Sequence, residues 1–327
     1  MYVVTGGAGF IGSNIVASIA ARGQEVVVCD WLRSDGRWRN LAKHEIAEIV
    51  APERLLDWLR SNRAGVEAVI HMGAISATTE TDVDLIVDRN VRATLDLLRW
   101  CTEAQIRLIY ASSAATYGDG RAGFDDEFGC EALARLRPLN AYGWSKHVVD
   151  RRIARLARET QPLPPQWVGL KFFNVYGPNE YHKGSMQSVI AKNYALVRDA
   201  RPLHLFRSYR SDYVNGGQLR DFIYVQDCAD VVLWLLDHRE VSGLFNLGTG
   251  KARTWLDLAH AMFDAAEQPR RVEFIDMPPG LSEQYQYFTE ARMERLRSAG
   301  YDRPFTALEE GIRQFVRNHL ATKDPYR

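Results

Sequence analysis

Nine residues, TGGAGFIGS at positions 5–13, constrain this chain more than any other stretch. They follow a β-branched run, YVVT (2–5), and lead into IGSNIVASIAARG (11–23), whose apolar spacing is helical and whose Gly23 is placed as a terminator. Gly6, Gly9 and Gly12 stand three apart. Glycines allow a tight turn and close backbone approach, so that a helix N-terminus can face a pyrophosphate. Such a triad also arises by chance in turns. Here a strand precedes it, a helix follows, and Asp30 closes the second apolar run, EVVVCD (25–30), about 20 residues on, where a ribose-binding carboxylate belongs. The chain is expected to bind a dinucleotide. WLRSDGRWRN (31–40) follows Asp30 at once, with Arg33, Arg37 and Arg39 in reach of a 2′-phosphate. The residues therefore leave NAD and NADP both open.

The alternation continues through EAVIHMGA (67–74), the helical pattern DRNVRATLDLLRWCTEA (88–104) and RLIYASS (107–113). Continuous apolar strands separated by helices predict a doubly wound parallel sheet covered on both faces, an α/β fold of Rossmann type. Beyond residue 115 the pattern loosens. A helix is expected around 142–160, then a strand at WVGLKFF (167–173), an apolar run DVVLWLLDH (230–238), and strands at FNLGTG (245–250) and VEFID (272–276). The expected organisation is a dinucleotide-binding domain from 1–173 plus about 221–248. A smaller, interleaved α/β substrate domain takes 174–220 and 249–327.

Composition removes several functions. Acidic and basic residues balance at 41 each among 327, which gives no basic footprint for nucleic acid and no cationic tail for a membrane surface. Cys29, Cys101, Cys130 and Cys228 form no CxxC pair, and the eight histidines show no metal-ligand spacing. Reduced thiols, no metal and a cytoplasmic location are the expectation. No apolar run reaches the roughly 18 residues of a membrane span. Trp58, Trp100 and Trp234 read as packing residues, and Arg151, Arg152, Arg155 and Arg158 as a solvated helix face.

Two segments carry chemistry. In AYGWSK (141–146), Tyr142 and Lys146 lie one helical turn apart and share a face. An ammonium beside a phenol lowers a reference pKa of about 10 toward working pH, making the tyrosine a base for an alcohol that is losing hydride. Ser113, at the end of RLIYASS, is placed to hydrogen-bond the substrate oxygen. The second segment, NVYGPNEYHKGS (174–185), puts Lys183 in a glycine-bounded loop after a strand. His71 and His182 lie near these motifs as loop or supporting residues.

TGGAGFIGS, HMGA with Asn90 beyond it, YASSAATYG, YGWSK and FFNVYGP, in this order, resemble the extended short-chain dehydrogenase/reductase family of nucleotide-sugar enzymes. HKGSM, RDFIYVQD and FNLGTG bring the resemblance closest to members that invert C-6 of an ADP-linked heptose for lipopolysaccharide core synthesis. The resemblance implies two bases, Tyr142 and Lys183, one for each face of the carbon, acting with Ser113 and Lys146 through a transient 6-keto sugar. It implies resident NADP, with Gly6, Gly9, Phe10, Ile11 and Gly12 along the phosphates and Asp30, Trp31 and Arg37 at the ribose end. Met72, Gly73, Ala74, Ser76, Asn90, Lys146, Val175 and Lys183 complete that cofactor site. Substrate contacts carry over to Ser113, Asn174, Ser185, Lys192, the run Phe206, Arg207, Ser208 and Tyr209, and to Arg220 and Tyr285. Arg220 is the best physical choice among them for a diphosphate. A homo-oligomer, a pentamer by resemblance alone, is also implied.

Sugar-nucleotide dehydratases of the family carry an acidic pair after the active-site serine or threonine; here Ala114 and Ala115 follow Ser113. Three departures from the family pattern stand out: a longer SDYVNGGQL (211–219), Lys192 in place of a histidine, and Lys171 in place of an arginine, the last expected to matter little. A UDP-sugar 4-epimerase and a non-enzymatic dinucleotide sensor are the alternatives.

Overall fold

The structure, a computed structural model, describes residues 1–278 and 285–327. The N-terminal half alternates β1 (Tyr2–Thr5), α1 (Phe10–Ala21), β2 (Val26–Cys29), β3 (Glu48–Val50), α2 (Leu55–Asn62) and β4 (Ala68–His71). A helical stretch follows: α3 (Val83–Ile86), a π-helical turn (Val87–Arg92) and α4 (Ala93–Ala104). Next come β5 (Arg107–Ser113), α5 (Cys130–Arg135), α6 (Ala141–Arg158) and β6 (Trp167–Phe172). The second half runs β7 (Asn174–Tyr176), a 3-10 segment (Tyr181–Met186), α7 (Val189–Arg198), β8 (Leu203–Phe206), β9 (Leu219–Tyr224) and α8 (Val225–Asp237). After these come β10 (Gly243–Leu247), β11 (Ala252–Thr254), α9 (Trp255–Ala265), β12 (Val272–Ile275), α10 (Glu294–Ser298) and α11 (Leu308–Phe315).

Seven parallel strands form the main sheet in the order β10-β6-β5-β4-β1-β2-β3. Its strands are buried on both faces, so they carry Val, Ile and Leu without alternation, and one set of side chains packs under α1 and α8 while the other packs under α4 and α6. Strand order reverses between β1 and β4, and an open α/β sheet binds its ligand in the crevice at that point. The doubly wound fold expected from the sequence is present. The apolar run 230–238 forms the second half of α8, which ends at Asp237, and the strand read at FNLGTG spans Gly243–Leu247.

A separate core, including Ile190, Phe222, Phe263, Ile312 and Phe315, joins α7, β9, α9 and α11. It supports a three-stranded sheet, β11-β9-β7, and the pair β12-β8. A capping box starts α9: Thr254 accepts from the Asp257 N–H while Asp257 accepts from the Thr254 N–H. Such a cap is worth about 0.5–2 kcal/mol and fixes where Trp255 enters. Trp100 and Trp234 are core residues, Trp58 packs at its margin, and the four arginines of α6 face solvent. Among the described residues no helix is long and apolar enough to cross a membrane.

Candidate active site

The C-terminal ends of β1, β2, β4, β5 and β7 open into one cavity of about 1740 Å³. A drug-sized ligand needs only about 300–1,000 Å³, so there is room for two large ligands at once. The glycine loop forms one wall. A side chain cannot be built there: a Cβ on Gly6, at φ +62°, would lie 2.6 Å from the Gly73 nitrogen, and one on Gly12 would lie 2.1 Å from the Gly6 carbonyl oxygen. The bare loop thus packs on the β4 exit and leaves the N-terminus of α1 facing the cavity, a fit to a pyrophosphate.

Asp30 follows β2 directly, its carboxylate accepting from the Ala8 N–H (3.0 Å) and the Trp31 N–H (2.7 Å). Burial raises its pKa, against the pull of these donors and of Arg37 and Arg33. Arg37 stands 3.8 Å from Asp30 and forms a close pair with Asp35. Arg33 and Arg89 lie over the Trp31 ring, 6.0 and 4.5 Å from its centroid. Arg89 escaped the sequence reading because nothing in the pattern shows that the π-helical turn would point it at the 31–37 loop. The arginines here are not free of counter-charges: Arg37 pairs with Asp35, Arg89 lies 3.5 Å from Asp88, and Glu53 accepts from Trp31 Nε1 (2.9 Å).

His71 organises the β4 exit. Thr94 donates its hydroxyl to the Asn90 carbonyl (2.6 Å), so it accepts from His71 Nε2 (3.0 Å), and His71 Nδ1 accepts from Thr5 Oγ1 (2.6 Å). Thr5 Oγ1 in turn accepts from the Gly73 N–H (3.1 Å). Burial, helped by Lys146, holds the imidazole down at about 3, so it stays neutral. Asn90 lies beneath the cavity and not on its wall: it exchanges hydrogen bonds with the Ile75 backbone and donates to Ser145 Oγ.

Tyr142, Lys146 and Ser113 meet at the cavity floor. Asn140 caps α6 by accepting from the Gly143 N–H (2.8 Å), which fixes the turn bearing Tyr142. The expected lowering of the phenol by Lys146 is not what the site shows. Burial raises Tyr142 above its ordinary value, and the Ser113 hydroxyl supplies the opposing influence. Lys146 is itself pushed down to about 8 by burial, partly offset by Asp150 one turn further along α6.

Lys171 lies beneath the same site. It stands where the family pattern has an arginine and is fully buried, 2.9 Å from Asp150 and 2.6 Å from Thr116 Oγ1. Asp150 further accepts from Ser112 Oγ (2.7 Å) and the Tyr110 hydroxyl (3.1 Å), and Thr116 donates to the Ser113 carbonyl (2.8 Å). A single buried ion pair therefore braces both the Ser113 strand end and the Tyr142 helix.

Lys183 enters the same cavity from the 3-10 segment after β7, its ammonium 4.7 Å from the Phe10 ring centroid. Burial lowers its pKa and Glu180 opposes that shift. His182 is pushed down to about 4 by burial. Of the other sequence candidates, Gly9, Ile11, Met72, Ala74, Ser76, Asn174 and Val175 line the cavity. Ser185, Lys192, Phe206, Arg207, Ser208, Tyr209, Arg220 and Tyr285 do not line it. Ser185 and Lys192 are exposed, and Tyr209 stands in a turn pinned by the Arg210–Asp212 pair and by a bond from its N–H to the Tyr287 hydroxyl. Arg220 is buried beside this turn, its guanidinium carbon 5.2 Å from the Tyr285 ring and 6.0 Å from the Trp255 ring. Trp255 and Phe222 connect that aromatic cluster to the cavity wall, and the sequence reading named neither.

This arrangement matches known proteins over its full extent. Residues 2–248 match the NAD dependent epimerase/dehydratase family. The chain is 48% identical to the ADP-L-glycero-D-manno-heptose-6-epimerase of Nitratidesulfovibrio vulgaris strain DP4, with 100% of both sequences covered. The crystal structure of the Helicobacter pylori ADP-L-glycero-D-manno-heptose-6-epimerase superimposes with a TM-score of 0.79 at 28% identity, covering 97% of this chain and 95% of that one. The Thermus thermophilus UDP-glucose 4-epimerase, solved with NAD, gives a TM-score of 0.70 at 27% identity, covering 95% and 96%. The chain belongs to the NAD dependent epimerase/dehydratase family, and within it to the heptose-6-epimerase branch.

Proposed function

We propose that the protein inverts C-6 of the heptose in ADP-D-glycero-β-D-manno-heptose, giving ADP-L-glycero-β-D-manno-heptose through a transient 6-keto sugar. The observation that carries this reading is the pair Tyr142 and Lys183, two ionisable groups brought into one cavity by different elements. A one-base 4-epimerase has no use for the second. A bound nicotinamide dinucleotide supplies hydride acceptance and return. Tyr142 takes the proton of the C-6 hydroxyl on one face while Ser113 hydrogen-bonds the oxygen. Lys183 returns a proton on the other face. The braces beneath, Asp150 with Lys171 and His71 with Thr94, keep these groups from drifting, and positional errors near 1 Å are costly in such chemistry. In this reading residues 1–173 with about 221–248 hold the cofactor. Residues 174–220 and 249–327 hold the nucleotide sugar, with its diphosphate reaching past the cavity wall at Trp255 to Arg220, which lies behind that ring, and the chain works in the cytoplasm as a homo-oligomer.

Purified protein given ADP-D-glycero-β-D-manno-heptose should yield both epimers, resolved chromatographically, and should leave UDP-glucose unchanged. Conversion of UDP-glucose alone would support the 4-epimerase, and conversion of neither the sensor.

The cofactor in this proposal is NADP, supported by Arg33, Arg37 and Arg89 around Asp30 and Trp31. Protein denatured after purification should release NADP in preference to NAD. Arg37→Ala should weaken NADP binding relative to NAD by about 1.5–3 kcal/mol, the range for a hydrogen bond to a charged group. Titration of both nucleotides into the stripped protein checks this, and an unchanged preference would remove Arg37 from the site.

A further inference from the structure

Glu180, three residues before Lys183, is fully buried. Its carboxylate accepts from Ser188 Oγ (2.6 Å), from the Ser188 N–H and from the Gly177 N–H (3.3 Å), so it ties the end of β7 to the first turn of α7 across the intervening loop. Ser188 is also the residue that caps α7. The ammonium of Lys183 lies 3.8 Å from the same carboxylate, within ion-pair range, with its side chain 23% exposed against 0% for Glu180. We propose that Glu180 is a positioning residue for Lys183: it holds the ammonium at the cavity wall and keeps it protonated, ready to give its proton to the C-6 alkoxide. This rests on the reading of Lys183 as the second acid/base group.

The physical case is one of partnership. A half-buried lysine without a counter-ion sheds its proton, and a buried carboxyl without donors takes one up. Here three backbone or hydroxyl donors hold the carboxylate, and burial and pairing pull on both members in opposite senses. The surrounding charges do not substitute for Glu180. His182 is neutral at working pH, Arg37 and Asp35 beside it neutralise one another, and the Tyr181 hydroxyl donates to the Pro325 carbonyl (2.8 Å). Phe10 on α1 presents only its ring face. In the proton transfer the Nζ–H bond breaks and an O–H bond forms at C-6, leaving a neutral amine that Glu180 helps to reprotonate from solvent.

Glu180→Gln keeps the shape and one of the two acceptor oxygens, Oε1, which takes the Ser188 hydroxyl and the Gly177 N–H; it removes the charge and loses the bond from the Ser188 N–H. The first readout is the pH dependence of Lys183 methylation by formaldehyde and cyanoborohydride, followed by peptide mass spectrometry. The midpoint should move acidward by about 1–3 pH units, the usual effect of losing an adjacent opposite charge. The alkaline limb of kcat should move the same way, with KM little changed. A purely structural role would lower thermal stability and nucleotide content and leave both midpoints in place, which would overturn the inference. If Glu180→Gln does not fold, Ser188→Ala removes one donor from the carboxylate and should give a smaller shift of the same sign; no shift overturns the inference equally. Full epimerase turnover in Lys183→Met would instead sink the second-base reading, whereas the methylation midpoint reports on the ion pair independently of turnover.

Discussion

Tyr142→Phe is expected to cut epimerisation about 10²–10⁴-fold, the range for loss of a general acid–base group. The phenylalanine ring retains the packing of Tyr142 against the cavity floor, and the substitution removes only the oxygen that faces Ser113. Stability should change by about 1 kcal/mol or less, the net worth of one hydrogen bond, so the melting temperature should move by only a few degrees. The effect should fall on kcat more than on KM, because the lost group acts on the proton in flight and not on the bound nucleotide. Burial holds the phenol protonated in the free protein, so proton removal depends on a nearby cation. Lys146, on the same face of α6 and itself pushed down to about 8, is the cation that the helix provides. Steady-state rates at saturating substrate, with bound nucleotide quantified in each sample, test the expectation. Turnover within a few-fold of the native protein would exclude Tyr142 as an essential base.

What the sequence made legible is local. The glycine loop could be read because Gly6 and Gly12 have no room for a side chain, and such positions admit no other residue. The central strands β1, β2 and β4 could be read because burial on both faces fills YVV, VVV and AVI with apolar, mostly β-branched residues. β3 was not read, since it has three residues and exposes two of them at the sheet edge. β8 alternates buried and exposed residues through LHLF, and β9 carries Arg220 and Asp221 in its interior. Asp221 is tolerated there because the N–H groups of Thr249, Gly250 and Ala291 converge on it, from 28 to 70 residues away. No local pattern announces such partners. The same holds in the site. Tyr142, Lys146 and Ser113 sit in recognisable runs, whereas Glu180, Lys171 and Arg89 gain their significance only from residues the fold brings to them. In the FRSY run the turn held by Arg210 and Asp212 carries Tyr209 outward, 55% exposed, an orientation that no local pattern announces.

Lys183→Met is expected to match Tyr142→Phe in its effect on epimerisation, about 10²–10⁴-fold, for a different reason. Methionine preserves an unbranched apolar stem against the Phe10 ring and removes the ammonium, so one face of C-6 loses its proton donor while Tyr142 remains on the other. A 6-aldehyde analogue of the nucleotide sugar separates the two faces, because it is both oxidised and reduced without inversion. Each single variant should impair one orientation of that dismutation more than the other. Stability gives an independent reading. Glu180 already has a pKa raised by burial, with Lys183 as the first influence opposing the rise. Deleting the lysine raises it further. A carboxyl whose folded pKa lies above its unfolded value contributes stability that is present below the unfolded pKa and lost as pH climbs through the folded one. Lys183→Met should therefore lose stability relative to the native protein between pH 5 and pH 8, and adding Glu180→Gln should abolish that loss. Thermal unfolding at the two pH values measures it. A variant with native turnover and a stability difference independent of pH would place Lys183 among the solvated surface lysines, and the one-base 4-epimerase would become the better account of the cavity.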